Sequence, residues 1–177
     1  EYSYNYQNWY PAAEFETKNT TKNIGLFDLT PFSKFELKGE NVHEELQKLC
    51  TANIKNEIGK CTYTQMLNPD GGIETDLTVV CLEKNYFRII SSAATRERDK
   101  FHINKYLPNN LILKDVTDDY CVLGVFGPNS RLLMQDLSKD DFSNENFKFA
   151  TSKYISIDNT KIWTQRLSYV GELGYEL

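Results

Sequence analysis

No apolar run in this sequence approaches the ~20 residues that a membrane-spanning helix needs, so no membrane association is expected. The N-terminus, Glu1-Tyr2-Ser3-Tyr4-Asn5-Tyr6, has neither the basic start and apolar stretch of a secretory signal nor the Arg-rich pattern of a transit peptide. A processed mature chain would look the same. With the singly spaced cysteines read as reduced thiols, the expected compartment is the cytoplasm of a bacterial-type cell, or the mitochondrial matrix if the source is eukaryotic. No block of Lys or Arg is present either. The 20 basic residues are outnumbered by 25 acidic ones, for a formal net charge of −5. Without a cationic face, nucleic acid is not an expected partner. Histidine is scarce: only His43 and His102 occur, both in charged, helix-like stretches. That is too few for a His-based metal site or a Ser-His-Asp triad, and no metal is expected. Cys50, Cys61, Cys81 and Cys121 stand singly, without a C-x-x-C, and read as reduced, mostly buried thiols. There is no G-x-G-x-x-G, no Walker-type loop and no G-x-S-x-G. Nor is there a dividing linker, a low-complexity tract or a short repeat.

What remains is the composition of an ordinary globular domain: 177 residues, 40% apolar and 25% charged. The aromatic share of 13% can fill a core or offer stacking surfaces for a flat ligand. The first ~20 residues show no clear period and read as an arm that packs by its rings, Trp9 and Tyr10 above all. Phe35 and Leu37 fall on one face of a short strand ending at Gly39, with Lys34, Glu36 and Lys38 on the other. Asn41 and Glu44 form a capping-box pair before a helix carrying Val42, Leu46 and Leu49. Residues 61–82 read as a hairpin around the turn Asn68-Pro69-Asp70-Gly71-Gly72. A strand over 86–91 follows, and then a polar helix capped by Thr95 and ended near Tyr106 by Pro108. Strands over 111–116 and 121–126, a helix through Leu132, Leu133 and Leu137, and strands over 153–157 and 161–169 complete the reading. Strands with interspersed helices and no regular alternation imply an α+β fold.

Three stretches carry candidate chemistry. On the returning strand of the hairpin, Glu74 and Asp76 project from the same side. Burial would raise the pKa of at least one, suiting acid–base work or an amine ligand; the plainer reading is a solvated strand face. Tyr169-Val170-Gly171-Glu172-Leu173-Gly174 places a carboxylate between two glycines that permit unusual backbone angles. Held so, Glu172 can accept paired N–H donors from a planar heterocycle, or it is simply a turn residue facing water. Ser91-Ser92-Ala93-Ala94-Thr95-Arg96 leads from strand to helix, where backbone N–H groups favour anions or a tight connection needs small side chains.

Taken in order, several segments resemble the glycine-cleavage T-protein (aminomethyltransferase) family. They are Gly25-Leu26-Phe27-Asp28-Leu29, Lys34-Phe35, Tyr63-Thr64-Gln65-Met66-Leu67-Asn68 and Gly71-Gly72-Ile73-Glu74-Thr75-Asp76-Leu77-Thr78-Val79. Ala94-Thr95-Arg96-Glu97, Gly127-Pro128-Asn129-Ser130-Arg131 and Ser168 to Leu177 continue the match. Asn8-Trp9-Tyr10-Pro11 and the G-G-I-E-T-D run are more similar to the folate-binding domain of dimethylglycine and sarcosine dehydrogenases. The resemblance covers nearly the whole chain and implies an α+β, mainly antiparallel domain that holds tetrahydrofolate. It implies one-carbon transfer, with the carbon captured from oxidation of dimethylglycine, sarcosine or a similar methylamine at a separate flavin site. FAD would then belong to a fused or associated flavoprotein outside these residues. By position, Asp76 matches the family's essential aspartate near the folate nitrogens, where its charge can stabilise a developing iminium. Glu172 matches the glutamate that grips the pterin edge, and Tyr169 a pterin neighbour. Tyr63 is taken as a further folate-binding position. Ser92 stands where the T-protein often has Asn. Family domains continue past the position of Leu177 with further strands, a folate-contacting arginine and a small barrel, so residues 1–177 are read as part of such a domain. Two other readings stay open: a fold relative that demethylates another donor, and a non-catalytic folate-binding scaffold. Retention of Asp76 favours the enzymes.

Overall fold

The computed structural model describes residues 3–177. Its elements are α1 (Tyr10–Lys22), β1 (Gly25–Asp28), β2 (Ser33–Lys38), α2 (Val42–Leu49), β3 (Cys61–Leu67), β4 (Ile73–Glu83), β5 (Tyr86–Ser91) and α3 (Arg96–Tyr106). They are followed by β6 (Ile112–Asp115), β7 (Leu123–Phe126), α4 (Ser130–Leu137), β8 (Thr151–Ile157), β9 (Thr160–Arg166) and β10 (Gly174–Glu176). The fold is α+β, with two five-stranded sheets whose registered strand pairs are all antiparallel.

The described chain divides into two compact units without a linker, because its path leaves one and returns to it. The unit formed by Leu29–Cys121 and Ala150–Ser152 carries the sheet β3-β4-β5-β2-β6. Strand alternation sends Phe35, Leu37, Met66, Leu77, Val79, Phe87 and Ile89 to one face, where they meet Val42 and Leu46 of α2 and Ile103 of α3 in a buried core. The opposite face carries Tyr63, Asp76, Arg88 and Glu36. Lys34 also belongs to that face, yet it is buried rather than solvated as the alternation suggested. Its ammonium donates to the carbonyls of Thr30 (2.9 Å) and Phe32 (2.7 Å), and burial lowers its pKa.

The second unit comprises the described residues up to Asp28 together with Val122–Phe149 and Lys153–Leu177. Its sheet order is β1-β7-β10-β9-β8, and Val125, Met134, Phe142, Phe147, Ile155 and Tyr175 form its core. Tyr175 packs edge-on to Phe142 at 5.3 Å between ring centres.

Four expectations need correction. Residues 10–22 form a helix rather than an irregular arm, and Trp9 and Tyr10 are exposed. Pro11 suits a first helical turn, and Thr20 and Thr21 turn their hydroxyls back onto the carbonyls of Glu16 and Thr17. Asn41 takes left-handed backbone angles (φ 62°) and makes no side-chain cap. Thr95 does not cap α3 either: its hydroxyl donates to Asp99 one turn on. Residues 174–176, unassigned from sequence, form the interior strand β10.

Candidate functional site

The hairpin is built as the sequence suggests. Asn68 closes its turn by accepting the amides of Asp70 (3.0 Å) and Gly72 (2.8 Å) on Oδ1, while Gly71 takes φ 83°. The register then places Asp76 opposite Gln65 and Thr78 opposite Tyr63. Tyr63 therefore lies diagonally across from Asp76 on the same face, and its hydroxyl donates to Asp76 Oδ2 at 2.9 Å. Both residues are exposed. Thr75 and Leu77 point to the core, so Glu74 and Asp76 do share a face. The buried acid pair is not realised: Asp76 is exposed, and Glu74, half-buried, leans toward the Asn68 amide at 3.5 Å. What the structure brings together is Tyr63 and Asp76, a carboxylate held at one oxygen on an accessible strand.

In the same unit, Ser92 follows β5 with extended angles (φ −60°, ψ 140°) and leads into a short 3-10 turn before α3. It is half-buried and makes no side-chain cap; its carbonyl accepts the Ser33 hydroxyl at 2.9 Å. The anion site considered for this helix start is already supplied with carboxylates. Arg96 grips Asp115 through Nε (2.8 Å) and Nη2 (3.0 Å) and also meets Asp118 at 2.9 Å. Burial alone would raise the Asp115 pKa, but hydrogen bonds from Arg96 and Thr117 outweigh it and bring the pKa down to about 2. The acid that is buried in this region is Asp99, which the sequence reading passed over. The signal available was the Thr95–Asp99 spacing, which puts both on one helix face.

Tyr169 and Glu172 belong to the other unit. They lie in the connection between β9 and β10, where Tyr169 is exposed and Glu172 half-buried. The two glycines that flank Glu172 have different reasons. Gly171 takes φ 81° with open space where a Cβ would stand, so conformation alone asks for glycine. Gly174 has no such angle; a Cβ there would lie 2.0 Å from the Phe126 ring, so packing asks for it. β10 then continues to Glu176, whose carboxylate accepts the Gln165 amide at 3.1 Å and whose pKa burial raises.

Cys50, Cys61 and Cys81 are buried and Cys121 is exposed, and burial pushes the Cys50 thiol up to about 12. Among the described residues no helix is long and apolar enough to cross a membrane.

Comparison with known proteins agrees with this layout. The chain is 34% identical over 178 residues to the 4-methylaminobutanoate oxidase (formaldehyde-forming) of Paenarthrobacter nicotinovorans, covering 100% of this chain and 22% of the relative. It is 33% identical to the mitochondrial dimethylglycine dehydrogenase of Rattus norvegicus, covering 99% of this chain and 21% of that one. The chain thus spans about a fifth of the length of these curated relatives. The crystal structure of the glycine cleavage system aminomethyltransferase T from Bartonella henselae superposes with a TM-score of 0.78 at 22% identity, over 92% of this chain and 43% of that one, and shows the same fold. The model of the GCVT N-terminal domain matches residues 1–177, and the chain belongs to that family.

Proposed function

We propose that this chain binds tetrahydrofolate and serves folate-dependent one-carbon transfer, capturing carbon released when dimethylglycine, sarcosine or a similar methylamine is oxidised. The observation that carries the reading is the Tyr63–Asp76 hydrogen bond, which holds an accessible carboxylate at a fixed place on β4. When bound, tetrahydrofolate supplies the pair of nitrogens that accepts the carbon. The residues present suit such a group: Asp76 is a carboxylate oriented by Tyr63, and Glu172 is an acceptor in a turn whose backbone angle Gly171 supplies. Asp76 offsets positive charge that develops at the carbon during transfer, an electrostatic role that needs an oriented carboxylate. Tyr63 keeps that carboxylate oriented. Glu172 accepts the paired N–H donors of the pterin edge. Tyr169 offers an exposed ring to a flat heterocycle, and Ser92 a half-buried hydroxyl in place of an amide. FAD and the oxidation step belong to a fused or associated flavoprotein. The names of the relatives, an oxidase and a dehydrogenase about five times longer than their match to this chain, support that arrangement.

The test is calorimetric titration of tetrahydrofolate into the complete gene product, beside Glu172→Ala and Asp76→Ala. A parallel assay follows 5,10-methylenetetrahydrofolate formation from formaldehyde above the uncatalysed rate. Two N–H hydrogens of the folate and the formaldehyde oxygen leave as water. Glu172→Ala is expected to abolish binding, and Asp76→Ala to keep binding while losing the rate. Absence of binding by the wild-type protein, or binding indifferent to Glu172→Ala, would sink the reading.

A further inference from the structure

Strand β4 gains its β5 partner only from Leu77, which faces Ser91. Thr75 and Asp76 face Met66 and Gln65 of β3, and among the described residues no strand pairs with their other edge. Side chains of α3 fasten this stretch instead. The Arg98 guanidinium donates to the Glu74 carbonyl, and the Thr75 hydroxyl donates to Asp99 Oδ2 at 3.1 Å. The same Asp99 oxygen accepts the Thr95 hydroxyl at 2.7 Å. Asp99 is 1% exposed; its Oδ1 is buried with no hydrogen-bond partner among the described residues, and the Arg98 guanidinium stands 3.6 Å away. A carboxylate this deep is costly and has to be balanced by the donors around it. Here those donors fasten the backbone one and two residues before Asp76.

Successive strand side chains leave on opposite faces, so the rotamer of Thr75 below and the carbonyl of Glu74 behind fix the direction in which Asp76 leaves above. We propose that Asp99, acting through Thr75 and Arg98, is the positioning residue for Asp76, replacing the strand neighbour that β4 lacks at this point. The inference rests on the reading of Asp76 given above. It assigns the polar start of α3 to aiming the carboxylate rather than to holding an anion.

The experiment compares Thr75→Val, Thr75→Ser and Arg98→Ala with Asp76→Ala in the complete gene product. Tetrahydrofolate and formaldehyde are the probes, and kcat and KM are read separately. Misplacement of a reacting group by about 1 Å costs on the order of a hundredfold in rate. Thr75→Val and Arg98→Ala are therefore expected to lower kcat about tenfold or more with KM for tetrahydrofolate little changed, and Thr75→Ser, which keeps the hydroxyl, to retain wild-type kcat. Arg98 is more than half exposed, so its variant remains informative if Thr75→Val fails to fold. Wild-type kcat in Arg98→Ala and in a folded Thr75→Val, beside an Asp76→Ala that has lost its rate, would overturn the positioning role alone. An active Asp76→Ala would overturn it together with the reading beneath it.

Discussion

At the scale of single residues, the Tyr63 hydroxyl donates to Asp76 Oδ2. Tyr63→Phe removes that donor while leaving the ring, and because Tyr63 is exposed little stability should be lost. Loss of about 1 kcal/mol of orientation at a charged acceptor corresponds to roughly a fivefold lower kcat. Steady-state kinetics beside a thermal melt would separate this from unfolding, and an unchanged kcat would count against Tyr63 as the holder of the carboxylate. Glu176 gives a prediction of the opposite kind. Burial raises its pKa above 4.5 and the Gln165 hydrogen bond only partly counters this. Between 4.5 and the raised value the folded state binds the additional proton, so the contribution of this group to stability is whole below 4.5 and is lost as pH climbs through the folded value. Glu176→Gln, which keeps an oxygen for the Gln165 amide, should raise Tm at about pH 7, the direction that a raised folded-state pKa gives. It should change little at about pH 4; a gain confined to acid pH would reverse the sign argued here. Asp76 and Glu172 were picked out as candidates by strand alternation and flanking glycines, which left a plain surface role open, and their proposed roles come from the family resemblance. Asp99 was not singled out: its spacing from Thr95 puts the two on one helix face, but that this acid turns inward depended on Thr75 arriving from β4.

At the scale of elements, the hairpin was the most legible part because its turn chemistry is local. Asn68 takes two amides and Gly71 takes an angle other residues resist, so the register of β3 on β4, and with it the Tyr63–Asp76 diagonal, is set within the turn. Gly71→Ala has open space for its Cβ, so any loss reflects the backbone angle alone. It should cost about 1 kcal/mol of stability in a denaturant titration with an unchanged slope, whereas a changed slope would point to a rearranged hairpin. Helix α1 was missed for a physical reason. Its side chains are exposed almost all round, with Thr20 buried, so it writes no apolar stripe into the sequence. Strand β10 was missed because it is three residues long and its partners, β7 and β9, come from elsewhere in the chain. The caps expected at Asn41 and Thr95 failed because a competing local geometry took each side chain: a left-handed angle at the first, a buried carboxylate at the second.

At the scale of the whole molecule, the α+β class followed from the count of strands and helices, but the division into two units did not. Boundaries are sought in sequence as linkers, and here the unit that holds the residues up to Asp28 is made of three separate segments, the other unit lying between them in sequence without one. The Phe126 neighbourhood illustrates how far apart the determinants lie: Gly25 faces it from β1 and Gly174 from β10. Net charge, by contrast, is readable at once and bears on the proposed ligand. A chain of −5 repels the two carboxylates of a folate tail beyond contact distance, and salt screens that repulsion over roughly 10 Å at about 0.1 M. Raising ionic strength from about 10 to about 150 mM should therefore speed tetrahydrofolate association, measured by stopped-flow quenching of Trp9 and Trp163 fluorescence, while the off-rate changes less. On the Asp76 unit Arg88 is paired to Glu36 and Arg96 to Asp115 and Asp118, whereas Arg98, more than half exposed, reaches the Glu74 carbonyl two residues from Asp76. Association that slows with salt would mean that a local cationic field outweighs the net charge of these residues, and would direct mutagenesis to Arg98 first.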